Sequence, residues 1–340
     1  MKKDNTKISI IFPLYNGKRF LTRNFNSITK LTNLDEIELI IIDNNSSDSS
    51  IEIIQSYKKK IDIKLINKNK NLGFAKASNI GATYAKGNYL FITNQDVIFE
   101  PNFFLKLEKI YTMYKNEEIV LSPALIFEDD GIHYFGAKIH FLGFSYTPEV
   151  MEKNPTNKII KETQRLSGGS LFIKKKTFLD IGGFDPIFFM YYEDTDLSLR
   201  FMRNGIRIIT TNDPYLIHQK HDWKFSNFQY FLLERNRYIS IFKNIDNIKK
   251  LFPYFIISEF ILIFHSIISK FFRFKIRIYY ELLTHRKVIK KIRNESRKKA
   301  KFLSYQKLSK ELDPILLGVF QDNILFRKFL KMFNSLLRQI

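Results

Sequence analysis

The chain has no cysteine, which excludes disulfides and zinc–thiolate sites. It also lacks a G-x-G-x-x-G run and a Walker-type phosphate loop, which argues against a dinucleotide-dependent dehydrogenase or a P-loop ATPase. No cleavable leader is expected, because Met1 to Lys7 is polar and the apolar run Ile8 to Leu14 is short and without a cleavage site. The expected compartment is the cytoplasm. What the chain holds in excess is positive charge: 55 Lys and Arg against 34 Asp and Glu, a net +21. That balance implies an anionic partner, whether nucleic acid, a phosphate-bearing substrate or an acidic membrane surface. At 340 residues and 45% hydrophobic, the chain is long enough for one large domain with an appendage, or for two domains.

The organising stretch is YLFITNQDV, Tyr89 to Val97. Tyr89 to Ile92 is continuous and bulky, as in a parallel strand covered on both faces. It then breaks into Thr93, Asn94, Gln95 and Asp96. Ligands of open α/β sheets bind beyond the carboxyl ends of the strands, so Asp96 stands where a carboxylate reaches a ligand or a hard cation. The plainer reading is a turn, since Asn and Asp are common turn residues. Three earlier strands are expected, over Ile8 to Phe12, Ile37 to Ile42 and Ile61 to Ile66, with helices over Phe20 to Thr29 and Ala75 to Ala85. This alternation predicts an α/β fold with a doubly wound, mostly parallel sheet and right-handed crossovers. Its carboxyl edge would gather Pro13 to Asn16, Asp43, the Asn71 loop and Asp96.

Further on, a helix is expected over Asn102 to Tyr114 and a strand over Ile119 to Ser122. Glu128 to Lys161 reads as irregular, a hairpin with a loop. Glu193, Asp194 and Asp196 start a helix that stops at Asn204-Gly205. Three acids there suit a helix N-terminus for dipole reasons alone; clustered carboxylates after an aromatic, Gly-marked loop also suit general-base chemistry. Beyond residue 245 the composition changes. Leu251 to Ile268 is nearly long enough to span a membrane, but Glu259 and His265 interrupt it. At about 100° per residue, Ser258, Glu259, His265, Ser266, Ser269, Lys270 and Arg273 fall within roughly 140° of one another. An interfacial helix is therefore expected rather than a span. Thirteen Lys or Arg and two Glu follow between Lys270 and Lys301, a run suited to anionic lipid. The competing reading is a helix packed on the domain, with the basic run as a solvated face. Two domains are expected, 1–245 and 246–340.

Taken together and in order, SIIFPLYN, LIIIDNNSSDSS, NKNLGFAKASNIG, FITNQD, SGGSLFIKKKTFLDIGGFD, FMYYEDTDLSLR and the later His218 resemble the inverting glycosyltransferases of family 2, with the GT-A fold. The nearest likeness is to bacterial rhamnosyltransferase-like members that build surface polysaccharides. The resemblance covers about residues 8–240. Each motif alone is weak; their order and spacing carry the likeness.

The resemblance implies a nucleotide-sugar donor, dTDP-rhamnose or a UDP-sugar, and a hydroxyl acceptor on a cell-surface glycan or a lipid-linked glycan. It implies a divalent cation, Mg²⁺ or Mn²⁺, held by Asp96 at the last position of a DXD-type motif and by His218. Asn94 stands at the first position, where many relatives carry Asp; an amide there can still hydrogen-bond ribose. Asp43 would read the base, with Pro13, Tyr15 and Asn16 beside it. Asn71, Gly73 and Asn79 would wrap the nucleotide, Gly73 by permitting close backbone approach. Asp194 would be the base, with Glu193 the adjacent alternative. Arg235 and Asn236 would hold the diphosphate, Arg through its planar fork. Peripheral contact with an anionic membrane at the inner face of the cell membrane completes the expectation. Two alternatives differ in class. A basic nucleic-acid-binding protein explains +21 but not the ordered acids, and no aromatic-basic RNA module is visible. A sugar-nucleotide nucleotidyltransferase usually carries a Gly-rich nucleotide loop near its N-terminus, and there is none.

Overall fold

The computed structural model describes residues 7–219, 225–245, 249 and 252–299. The terminal helix expected around Ile315, Leu316, Val319, Phe320, Ile324, Leu325 and Phe329 lies outside the described residues. Residues up to Gly136, 149–201 and 205–219 form one compact unit. Residues 137–148, 202–204 and the described part from 225 onward form a second.

The first unit begins with alternating strands and helices: β1 Ile8–Leu14, α1 Lys18–Ile28, β2 Ile37–Asp43, α2 Ser50–Tyr57, β3 Ile63–Asn67, α3 Gly73–Tyr84 and β4 Tyr89–Thr93. The chain continues through β5 Val97–Ile98, α4 Phe103–Met113, β6 Ile119–Leu121, β7 Ala124–Phe127 and β8 Ile132–Tyr134. The short pair β9 Lys138–Ile139 and β10 Ser145–Tyr146 belongs to the second unit. Then come β11 Ile160–Thr163, β12 Ser170–Lys174, α5 Lys175–Asp180, α6 Glu193–Arg203, β13 Arg207–Thr211 and β14 Tyr215–His218.

The main sheet runs β11-β13-β6-β12-β4-β1-β2-β3. β1 is parallel to both β2 and β4, and β2 to β3. The expected fold class is thus observed. Two strands run the other way: β12 lies antiparallel between β4 and β6, and the edge strand β11 is antiparallel to β13. A parallel neighbour needs a crossover of a dozen or more residues, usually helical; β12 is reached through the loops after β11, and it enters from the other end. A smaller sheet, β5-β14-β7-β8, stands beyond the end of β4.

Core packing explains the positions. Ile8, Ile10, Ile11 and Phe12 are completely buried, as a central strand covered on both faces requires. On one face, Phe91 meets Phe103 and Phe104 edge-on at 5.2 and 5.3 Å. On the other, α3 presses so closely on β1 that a Cβ at Gly81 would stand 2.3 Å from Ile11. Small residues at Ala75, Ala77 and Ala82 on the same helix are buried too.

The second unit contains α7 Asn227–Asn244, α8 Phe252–Ile268, α9 Phe272–Thr284 and α10 Arg286–Lys299. A capping box of Ser226 and Gln229 starts α7. Its core is held by charge. Arg237 and Lys275 are fully buried. Glu234 bonds Arg237 at 3.1 Å and Lys275 at 2.6 Å. Glu259, from α8, bonds Arg237 at 3.2 Å and Lys275 at 3.0 Å. Tyr279 donates to Glu259 at 2.5 Å, and Arg237 donates to the Leu142 carbonyl at 3.1 Å. Two cations and two anions thus tie α7, α8, α9 and the 137–148 segment together.

Burial alone would raise the Glu234 carboxyl, but Arg237 and Lys275 outweigh it and hold it down to about 2. A carboxylate depressed in the folded state stabilises the fold above its ordinary 4.5 and loses that contribution as pH falls toward 2. Glu234→Gln strips a partner from two buried cations and should cost about 3–5 kcal/mol. Glu162→Gln breaks an exposed, solvent-screened pair with Arg207 and should leave stability almost unchanged. Urea denaturation of both variants checks the contrast, and only the first should lose the Glu234 share of the acid sensitivity between pH 4.5 and 2.

Candidate active site

The carboxyl ends of β1, β2 and β4 are knitted to one another. The Tyr15 amide donates to Gln95 Oε1 at 3.0 Å, and Gln95 Nε2 donates to the Tyr15 carbonyl at 3.2 Å. Asn16, just beyond β1, takes φ +48°; its amide donates to Ser46 Oγ at 3.0 Å and its Oδ1 accepts from the Ser47 amide at 2.8 Å. Pro13 pairs in register with Ile42, and Leu14 with Asp43. Asp43 is buried, and its carboxylate accepts from the Ser46 amide at 3.2 and 3.3 Å. The next loop is drawn in as Asn44 Oδ1 accepts from the Leu72 amide at 3.1 Å. Asn71 Oδ1 accepts from the Gly73 amide at 2.8 Å. Tyr15 stays about half exposed at this edge.

Asp96 and His218 are 122 residues apart in sequence and adjacent in space. The antiparallel pairing of β5 with β14 sets His218 opposite Val97, and the Gln219 amide donates to the Asp96 carbonyl at 2.9 Å. His218 Nε2 lies 3.4 Å from Asp96 Oδ2. The other carboxylate oxygen, Asp96 Oδ1, is buried without a hydrogen-bond partner. His133 lies along the His218 ring at 4.6 Å, and Phe127 meets that ring at 5.8 Å. A carboxylate with an unclaimed oxygen beside an imidazole fits a divalent cation such as Mg²⁺ or Mn²⁺. Among the described residues no cluster of three such side chains occurs.

The acids of α6 reach the same edge through two glycines. Thr93 Oγ1 donates to the Gly169 carbonyl at 2.8 Å, and a Cβ on Gly169 would stand 2.7 Å from the Asn94 amide nitrogen. A Cβ on Gly168 would stand 3.2 Å from Glu193 Oε1 and 3.6 Å from Asp194 Cβ. The Gly168-Gly169 turn therefore sits between the end of β4 and the start of α6. Asp194 Oδ2 pairs with Arg165 at 2.6 Å, and Oδ1 accepts from the Thr195 amide at 2.6 Å. Glu193 is buried, with Oε2 unpartnered. Burial, and then the Asp194 charge, push its carboxyl well above the usual range. Asp196 is turned inward onto Arg200 at 2.9 Å. Just before these acids Phe189, Tyr191 and Tyr192 take φ of +58°, +64° and +70°, a costly conformation for bulky residues that clusters at functional sites.

The remaining expected residues are engaged as follows. Gly73, at φ +76°, does make a close approach, but to Phe189: a Cβ there would stand 2.4 Å from the Phe189 carbonyl. Asn79 uses both ends of its amide on the Phe184 backbone, at 2.6 and 2.9 Å. It thus holds the loop that leads to the strained aromatic segment. Arg235 and Asn236 belong to the second unit, where Arg235 pairs with Glu281 at 2.5 Å and donates to Asn236 Oδ1 at 2.8 Å. Three residues of the site were not singled out from sequence: Arg165, His133 and Gln95. Arg165 had a weak signal, a cation three positions before the Gly168-Gly169 turn, but among 55 basic residues it does not stand out. His133 had none.

The sequence matches the family model described as glycosyl transferase family 2 over residues 9–184, just over half of the chain. It also matches the N-terminal domain of galactosyltransferase over residues 150–222. It is 28% identical over 165 residues to glycosyltransferase GlyA of Streptococcus pneumoniae serotype 4, covering 48% of this chain and 23% of that protein. An uncharacterized glycosyltransferase of Haemophilus influenzae is 28% identical over 200 residues, covering 58% of this chain and 62% of that one. The chain thus spans less than two thirds of either relative. Among solved structures, GalNAc-T7 with UDP, GalNAc and Mn²⁺ superimposes with a TM-score of 0.58 at 18% identity, over 72% of this chain and 49% of that one. Residues 1–349 of Staphylococcus aureus TarS in complex with UDP-GlcNAc give 0.51 at 16% identity, over 69% and 66%. The fold is the one these GT-A enzymes share. Through the sequence that builds its sheet, its carboxyl edge and the strand carrying the Gly168-Gly169 turn, the protein belongs to glycosyl transferase family 2.

Proposed function

We propose that this protein is an inverting glycosyltransferase that moves a sugar from a nucleotide-diphosphate donor to a hydroxyl of a cell-surface or lipid-linked glycan. The carrying observation is the meeting of two acidic stations on one sheet edge: Asp96 with His218, and Asp194 with Glu193, with the Gly168-Gly169 turn between them. The donor is dTDP-rhamnose or a UDP-sugar. The rhamnosyl choice rests on the motif likeness; the UDP choice is supported by neighbours solved with UDP and UDP-GlcNAc. Relatives named for teichoic acid and O-antigen biosynthesis support a surface-glycan acceptor. Residues 1–245 form the catalytic domain and 246–340 a basic helical extension that contacts the inner face of the cell membrane.

Asp43, Pro13, Tyr15, Asn16, Asn71, Gly73, Asn79 and Asn94 shape the nucleotide pocket, and Arg235 with Asn236 serves the diphosphate. Asp96 and His218 hold a divalent cation, which when bound neutralises charge on the departing diphosphate. Asp194 accepts the acceptor's hydroxyl proton as that oxygen bonds to the anomeric carbon. The carbon–oxygen bond to the diphosphate breaks in the same displacement, and its electron pair leaves with the diphosphate. An ionised carboxylate has about four lone-pair sites, so Asp194 can receive this hydrogen while Arg165 and the Thr195 amide keep it oriented. Glu193 is a second reading for the base, favoured by its buried, unclaimed Oε2.

Three measurements test this. Asp194→Asn keeps shape and removes basicity, so transfer should fall by about 10² to 10⁴ while donor binding survives; if Glu193→Gln shows that loss instead, the two roles exchange. Turnover should invert the anomeric centre, read by NMR on early product, and retention would exclude a single displacement. Chelation should abolish transfer, and Asp96→Ala should lose Mn²⁺ binding by calorimetry with an unchanged melting temperature. Full activity in chelator would overturn the metal role. A screen of dTDP-, UDP- and GDP-sugar hydrolysis identifies the donor.

A further inference from the structure

Two helices of the second unit are built inside out. In α8 the polar side chains face inward: Ser258 and Ser266 are buried, and Glu259 joins the Arg237–Lys275 network. Phe255 and Leu262 are buried beside them, but most of its large apolar residues face outward, with Phe260 at 72% and Phe264 at 60% exposure. At about 100° per residue the outward residues Phe252, Ile256, Ile257, Phe260, Phe264 and Ile268 share an arc of roughly 160°. α9 repeats the inversion. Lys275 is fully buried, while Phe272, Ile276, Tyr280 and Leu283 are exposed and share an arc of roughly 80°. Arg273 and Arg277 are exposed and lie together beyond one edge of that arc.

A water-facing helix normally turns its apolar stripe to the core, and contiguous apolar surface on a protein marks something that covers it. Charge decides what. Twelve Lys or Arg and two Glu lie between Lys270 and Lys299. A second copy would press like charges together. Residues 300–340 carry seven Lys or Arg against three Asp or Glu, again the same sign. An anionic bilayer supplies both missing partners, hydrocarbon for the apolar arcs and phosphate for the basic rim. No helix among the described residues is long and apolar enough to cross a membrane. We infer that the outward faces of α8 and α9 are a membrane-docking surface that lies in the interface of an anionic bilayer, with Phe260 and Phe264 inserted and Arg273 and Arg277 at the headgroups. This deepens the peripheral-enzyme reading above and rests on it for its biological sense only.

The test is sedimentation of the full chain with vesicles of phosphatidylcholine mixed with phosphatidylglycerol, and with phosphatidylcholine alone. The wild type should pellet with the mixed vesicles. Phe260→Asp/Phe264→Asp should weaken partitioning by about 100-fold or more, since each Phe contributes about tenfold or more when buried. Arg273→Glu/Arg277→Glu should lose the preference for anionic vesicles, by about fivefold or more for each charge. Met113→Asp, an exposed apolar site on α4, should behave as wild type. Phe260→Ser/Phe264→Ser serves if the aspartate pair misfolds, with the melting temperature as the check. Wild-type-like pelleting of the Phe variants overturns the inference. So does a wild-type dimer that the Phe variants dissociate, or an α8 that shows no vesicle binding and loses hydrogen-exchange protection when 300–340 is removed. Donor hydrolysis on the same samples separates the readings: hydrolysis without vesicle binding sinks this surface alone, and vesicle binding without hydrolysis sinks the transferase alone.

Discussion

How closely β4 and α6 approach governs the catalytic unit, and two residues without side chains set that distance. Gly169 lies against Asn94, where a Cβ would stand 2.7 Å from the amide nitrogen, and Gly168 lies against Glu193, where a Cβ would stand 3.2 Å from Oε1, with Asp194 in ordinary contact beyond. The two acidic stations come from segments about 100 residues apart in sequence. They become one site only because the chain between them reverses at these glycines and enters the sheet antiparallel as β12. The antiparallel direction sets the place of that turn: Ser170 stands opposite Thr93, and a parallel β12 would carry the Gly168-Gly169 turn to the opposite end of β4. The same logic places His218, since the antiparallel pairing of β14 with β5 carries it back to Asp96.

What the sequence made legible follows from range. Local periodicity located the parallel half, because β1, β2 and β4 are buried on both faces and read as apolar runs broken only by Ser9 in β1 and Glu38 in β2, which bond each other at 2.6 Å. Asp43 and Asp96 were legible as strand-end acids for the same reason. The partners of those acids were not. Arg165 meets Asp194 across 29 residues, and His133 meets His218 across 85; neither follows from spacing. Gly73 shows the middle case. A glycine needed for close approach was legible, but what approaches it, the Phe189 carbonyl, depends on a strained segment that no periodicity describes.

The second unit shows a different limit. The polar stripe of α8 was legible to the residue, because helical geometry fixes which side chains share a face. Which face turns inward was not, because the separation of polar from apolar residues around a helix does not say what each side meets. Here the partner is a pair of cations, Arg237 and Lys275, buried completely on α7 and α9. They need carboxylates, and Glu234 on α7 cannot neutralise both. Glu259 supplies the second, and α8 turns to deliver it.

That choice has a cost which the magnitudes make plain. Rotating α8 by half a turn would bury its outward phenylalanines, each worth about 1.5–3 kcal/mol when fully covered. It would also withdraw Glu259 from two buried cations, at about 3–5 kcal/mol for each broken pair. The two sums are of the same order, so in water alone neither face dictates the orientation. A lipid surface removes the conflict, since the carboxylate stays with its cations and the apolar arc leaves water in the same arrangement. The buried charge network is then what keeps the apolar face presented; with two cations against two anions it is neutral, so the +21 of the chain is carried entirely by charges outside it.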